Sequence, residues 1–147
     1  MAALLGGKMP HVMTLIPGGR PCYCGKTGCV DSYCSARVLS DLSGGRLEDF
    51  FLGLQQNNPD YRSVWDTYLK HLAVVINNLH MILDYDIVLG GYVGSFLSPW
   101  LDTIRRLVAE HNTFEDDGSF VKLCTYQTGA AAYGAAMDVM EEFLRTV

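Results

Sequence analysis

The sequence has no apolar run long enough to cross a bilayer, and no apolar stretch behind a basic start that would mark a secretory leader. It is also short of charge. Only 18% of its 147 residues are charged, and 11 lysines and arginines stand against 16 acids, for a net charge of −5. A general nucleic-acid surface needs a basic stripe to release counterions from phosphates, so neither direct nucleic-acid binding nor membrane contact is expected. With 49% hydrophobic residues the chain can bury one core, but 147 residues leave no room for two full domains. Residues 1–147 are therefore read as a single domain. The expected location is the cytoplasm, where thiols stay reduced.

What is present concentrates in Cys22-Tyr23-Cys24-Gly25-Lys26-Thr27-Gly28-Cys29, with His11 upstream and Asp31 just after. Cys22 and Cys24 lie two apart, and Gly25 and Gly28 allow the reversal that brings Cys29 back toward them. Three thiols and an imidazole are the donors tetrahedral zinc prefers, and Lys26 offsets thiolate charge. Three plainer readings compete: buried free cysteines, a disulfide between two of the thiols, and a coincidental turn. Burial accounts for Cys124 and Cys34, but a glycine-rich polar loop offers little apolar cover for three more. A disulfide needs an oxidising compartment. The residues favour a closed, structural zinc loop over 18–29, held by His11, Cys22, Cys24 and Cys29.

The run from His11 to Asp31 reads H-x10-C-x-C-G-x-x-G-C-x-D. It resembles the zinc signature of the ROK family (repressors, open reading frames and sugar kinases), which is written Gly-His followed by C-x-C-G-x-x-G-C-x-E. Ile87-Val88-Leu89-Gly90-Gly91 is similar to that family's strand and Gly-Gly segment, and Gly129-Ala130-Ala131-Ala132-Tyr133-Gly134-Ala135-Ala136 to its last small-residue helix. The resemblance implies that His11 and Asp31 meet sugar hydroxyls, that Gly90 and Gly91 lie against an adenine nucleotide, and that zinc is structural. It also implies ATP and magnesium in a complete kinase. The chain departs from the pattern at Lys8-Met9-Pro10, where the family has Glu-x-Gly, and at Asp31, where it has glutamate. His11 also stands one residue farther from the first cysteine than the pattern. If Val12 holds the ligand position, zinc keeps only the thiolates.

Along the chain, Val12-Met13-Thr14-Leu15-Ile16 reads as a strand entering the metal loop, ended by Pro17-Gly18-Gly19. Asp31 opens a helical pattern in which Tyr33, Cys34, Val38 and Leu42 share a face. The same acid is equally at home there as a first-turn charge favoured by the helix dipole. Leu47 to Gln56 forms a short helix, and Asn58 caps a long one opened by Pro59 and running to about Leu83. Its apolar positions Tyr61, Val64, Trp65, Tyr68, Leu72, Val75, Ile76, Leu79 and Leu83 keep helical spacing. His71 and His80 read as solvated or satisfied packing residues. A buried strand over Asp86 to Leu89, a helix from Pro99 to about His111, an acidic loop over Asn112 to Ser119, a strand from Phe120 to Tyr126 and a helix from Gly129 to Leu144 complete the order.

Strands alternating with helices argue for an α/β fold with parallel pairing of the later strands. The resemblance makes this a partial ribonuclease H-like lobe of the actin-like ATPase fold, a short, mostly parallel sheet packed with helices plus a zinc loop. No Asp-x-Gly-Gly-Thr occurs in the sequence. The phosphate loop and the general base of the family's first lobe are thus missing from these residues, and phosphoryl transfer needs both. The expectation is the C-terminal lobe of a ROK sugar kinase acting on a hexose or N-acetylhexosamine, inactive alone, whether as a natural truncation, one piece of a split gene or an expressed fragment. Alternatives are a piece of a sugar-responsive transcriptional regulator, whose winged helix-turn-helix is not here, or a non-catalytic dimerisation and binding module. The expected partners are a second copy or a separately encoded N-terminal lobe, because a short sheet leaves an edge and apolar surface to cover.

Overall fold

A computed structural model describes residues 13–114 and 117–126, with 136, 137, 140 and 143–145 near the C terminus. After the cysteine loop come two short helices, α1 (Asp31–Cys34) and α2 (Ala36–Ser40), and a 3₁₀ turn, Asp41–Ser43. Then follow α3 (Leu47–Gln55), α4 (Pro59–Leu83), β1 (Ile87–Leu89), α5 (Gly91–Gly94), the 3₁₀ turn Ser98–Trp100, α6 (Leu101–Ala109) and β2 (Val121–Leu123).

Helix α4 starts where its local chemistry dictates. Asn58 Oδ1 accepts from the backbone N–H of Asp60 at 3.0 Å and of Tyr61 at 3.3 Å, while Pro59 occupies the first helical position, where its missing N–H costs nothing. The helix ends at Asp84, which turns left-handed and donates its N–H to the His80 carbonyl at 2.8 Å. At about 1.5 Å per residue it is about 37 Å long and forms the spine on which α1, α3, α6 and β1 pack.

Trp65, fully buried, sits at the centre of that packing. Its indole stacks on Tyr68 at 5.4 Å and meets Phe51 and Trp100 edge-on at 5.1 and 5.6 Å. Pairs in these offset and edge geometries add about 0.5–1.5 kcal/mol each beyond the area they bury. Because α4 is covered from two sides, Leu69 and Ala73 are buried beside the expected positions, whereas Leu83, at the helix end, is exposed.

The expected parallel pairing is present. β1 and β2 pair in register Ile87 to Val121, Val88 to Lys122 and Leu89 to Leu123, joined through α5 and α6. Arg105, on α6, donates from Nε and Nη2 to the Val121 carbonyl at 3.2 and 2.9 Å, tying that crossover helix to the strand it feeds.

Three expectations are corrected. The strand expected over 12–16 is, among its described residues, a single bridge between Thr14 and Cys29, because the turn closed by Gly19 N–H on the Ile16 carbonyl begins before pairing can extend. The helical pattern opened by Asp31 breaks at Ser35, whose ψ of 158° is extended. That break takes Leu42 out of the shared face, and Leu39 is buried in its stead. The strand expected over 120–126 spans only Val121–Leu123. His11 and most of the helix expected over 129–144 lie outside the described residues.

Candidate metal centre and adjoining cleft

The cysteine loop is built by backbone hydrogen bonds. Leu15 and Ile16 both donate to the Gly28 carbonyl, at 2.7 and 3.1 Å, and Gly28 donates to the Arg20 carbonyl at 2.7 Å. Within the loop, Gly25 N–H closes a turn on the Cys22 carbonyl at 3.0 Å and Cys22 N–H reaches the Lys26 carbonyl at 2.8 Å. Gly28 is indispensable for this path. Its φ is +79°, and any Cβ there would collide with the Ile16 carbonyl.

The result brings the Sγ atoms of Cys22, Cys24 and Cys29 within 4.8 Å of one another, Cys24 and Cys29 being 3.6 Å apart. A disulfide needs about 2.05 Å, whereas thiolates on a tetrahedral metal with bonds of about 2.3 Å stand about 3.8 Å apart. The spacing fits a shared metal ion. The thiols differ in environment: the Cys24 backbone N–H holds the Cys22 thiol below its usual range, while burial pushes Cys29 up to about 11. A cation bound among them favours the thiolate at all three. The Ser32 hydroxyl, which donates to the Pro21 carbonyl at 3.2 Å, braces the loop against α1. Of the four expected metal ligands, the three cysteines come together and His11 lies outside the described residues.

Two residues past Cys29, Asp31 opens α1 and turns the chain into a cleft of about 230 Å³. Gly90 and Gly91 line the same cleft from the C-terminal end of β1, the end of a parallel strand at which α/β folds bind their ligands. Asp31, Gly90 and Gly91, expected separately from sequence, are thus brought to one place. Sequence reasoning missed the rest of the wall, including Cys34, Tyr68 and Tyr92. Tyr68 read only as part of the apolar stripe of α4, yet its hydroxyl donates to the Cys34 carbonyl at 2.8 Å and fixes the cleft floor. Burial holds the Cys34 thiol up to about 12, so it is a neutral wall residue, not a nucleophile. His80 stacks on Phe120 at 3.6 Å and its Nδ1 lies 2.9 Å from the Tyr85 carbonyl, a packing role as expected.

A model of the ROK family matches residues 5–142. The chain belongs to the ROK family. It is 25% identical over 166 aligned residues to a glucokinase of Halalkalibacterium halodurans, a match covering 94% of this chain and 48% of that protein. A ROK hexokinase from Thermus thermophilus superposes with a TM-score of 0.73 at 20% identity over 90% of this chain and 47% of its own. A ROK glucokinase from Streptomyces griseus, solved with glucose and AMPPNP, gives 0.69 at 20% identity over 86% and 49%. These likenesses show the fold, α/β with a short parallel sheet, to be that of the actin-like ROK sugar kinases. The chain spans about half the length of the relatives it matches. Among the described residues no helix is long and apolar enough to cross a membrane.

Proposed function

We propose that this chain is the zinc-bearing C-terminal lobe of a ROK sugar kinase, which in the complete protein phosphorylates a hexose or N-acetylhexosamine with ATP and magnesium. The observation that carries this reading is the shared cleft of Asp31, Gly90 and Gly91 directly behind the cysteine loop. In it the Asp31 carboxylate accepts hydrogen bonds from sugar hydroxyls, with His11 as a second contact, and Gly90 and Gly91 let a nucleotide approach the backbone. Zinc is held by Cys22, Cys24 and Cys29 with His11 as fourth ligand, and it fixes the loop from which Asp31 departs. Its role is structural.

These 147 residues contain no Asp-x-Gly-Gly-Thr. The phosphate-binding loop and the group that accepts the hydroxyl proton are therefore supplied by residues outside them, and the chain by itself is inactive. Its partner is a separately encoded N-terminal lobe or a second copy, and the 74% exposure of both Ile82 and Tyr85 gives apolar surface for such a contact. The named relatives are kinases, which favours an enzyme over a sugar-responsive regulator. The expected location remains the cytoplasm.

Calorimetric titration of the zinc-loaded chain with glucose and with N-acetylglucosamine tests the reading. Saturable binding of either sugar that Asp31→Asn removes is the expected result. No binding, together with no phosphorylation when an N-terminal ROK lobe is added, overturns it.

A further inference from the structure

A second cavity, of about 110 Å³, shares Tyr68 with the first and lies between the cysteine loop and the middle of α4. One wall is Arg20 from the loop. The other is Ser63, Thr67 and His71, which follow one another at intervals of four along α4 and so share one stripe of its surface. Neither the apolar core nor the cleft at Asp31 uses this stripe.

Between the apolar Val38 and Val64 and the rings of Tyr33 and Tyr68, the cavity gathers the hydrogen-bond donors of Arg20, Ser63, Thr67 and His71. Among the described residues no carboxylate lines it, although the chain as a whole carries a net charge of −5. Asp66, on the same helix, is engaged by Arg62 at 3.2 Å. The Arg20 guanidinium lies over the Tyr33 ring, 5.0 Å from its centroid, and among the described residues its side chain has no hydrogen-bond partner. His71 meets the same ring edge-on at 4.9 Å, and its ring nitrogens have no hydrogen-bond partner among the described residues. Thr67 donates to the Ser63 carbonyl at 3.0 Å, a weak helix back-bond that a stronger acceptor displaces. At well under the ~300 Å³ of an organic-ligand pocket, the space suits a small polyoxygen ion.

We propose that Arg20, Ser63, Thr67 and His71 form a binding site for a tetrahedral oxyanion, either inorganic phosphate or the phosphoryl head of a monoester. The fork of Arg20 binds two of its oxygens, and the hydroxyls and the imidazole bind the others. Bound there, the anion bridges the cysteine loop and α4. The environment of His71 agrees: burial, and then the positive charge of Arg20, hold its imidazole below the usual range, and an anion between the two relieves their repulsion. The site is independent of the kinase reading, since it involves neither Asp31 nor the Gly90-Gly91 corner.

The test is a chemical-shift titration of the zinc-loaded chain, following the His71 imidazole, with inorganic phosphate, with glycerol phosphate and with chloride at matched ionic strength. Saturable shifts with either phosphate, weakened about tenfold or more in Arg20→Gln, are expected. Thr67→Val, on an exposed helix face, should weaken binding without lowering the thermal midpoint, so a loss of affinity is separable from a loss of fold. Arg20→Lys, which keeps charge but not the fork, is expected between wild type and Arg20→Gln. Equal response to inorganic phosphate and monoester identifies the head group as the ligand. A response that chloride reproduces, or one unchanged in both Arg20→Gln and Thr67→Val, overturns the site.

Discussion

Replacing Gly28 by alanine is the sharpest perturbation of the metal loop, because it can be set against Gly25→Ala in the same loop. Both glycines have positive φ, +79° at Gly28 and +84° at Gly25. Both alanines therefore incur about 1–2 kcal/mol of left-handed strain. At Gly25 a Cβ meets nothing within 4 Å, so the cost stops there. At Gly28 a Cβ collides with the Ile16 carbonyl, and the backbone has to move, taking with it the hydrogen bonds to Leu15, Ile16 and Arg20. At about 1 kcal/mol per bond the total for Gly28→Ala reaches about 4–5 kcal/mol. For a chain of this size, about 3 °C per kcal/mol converts this to a fall of about 12–15 °C in Tm, against about 3–6 °C for Gly25→Ala. Cys29 follows Gly28 directly, so its Sγ leaves the cluster, and the zinc proposed there is expected to fall with it. Thermal scanning with metal analysis by mass spectrometry reads both effects. A Gly28→Ala chain that holds full zinc and melts within 3 °C of Gly25→Ala refutes the reasoning.

Trp65→Ala, which empties the centre of the core, is expected to cost about 3–5 kcal/mol in urea denaturation, whereas Trp65→Phe costs far less, because among the described residues the buried indole Nε1 has no hydrogen-bond partner to lose. Because the folded pKa of His71 lies below its unfolded value, the unfolded chain binds more protons between the two. Stability in phosphate-free buffer therefore falls as pH drops from the unfolded pKa through the folded one, and His71→Gln flattens that slope. In the metal-free chain iodoacetamide, followed by peptide mapping, is expected to label Cys22 before Cys29 and Cys34, whose thiols are pushed up to about 11 and about 12. If zinc is the metal held by the cluster, as proposed, loading it is expected to protect Cys22 and leave Cys34 unchanged.

Where structure follows from neighbours in the chain, it was legible. Asn58 and Pro59 announce the start of α4, and its apolar spacing runs to the observed end at Leu83. The three cysteines converge because two glycines turn the intervening backbone, and that too is local. The break at Ser35 was not legible. Nothing in Asp-Ser-Tyr-Cys-Ser forbids a continuous helix; Tyr33 is instead held by contacts made elsewhere, with Arg20 N–H donating to its hydroxyl at 2.7 Å and His71 against its ring. His71 itself, read as solvated or as packing, gained its cationic neighbour only when the loop folded over α4.

By itself, then, the sequence determined the ROK signature, the cysteine cluster, the boundaries of the long helix and the parallel α/β order. Each depends on residue types at short, fixed separations, where backbone geometry leaves few alternatives. Only the tertiary structure decided that Asp31 shares a cleft with Gly90 and Gly91, and that Arg20 faces Ser63, Thr67 and His71 across a second cavity. Those meetings join distant parts of the chain, and they are set by how the loop and β1 dock on the aromatic core around Trp65, a packing outcome that no local pattern encodes.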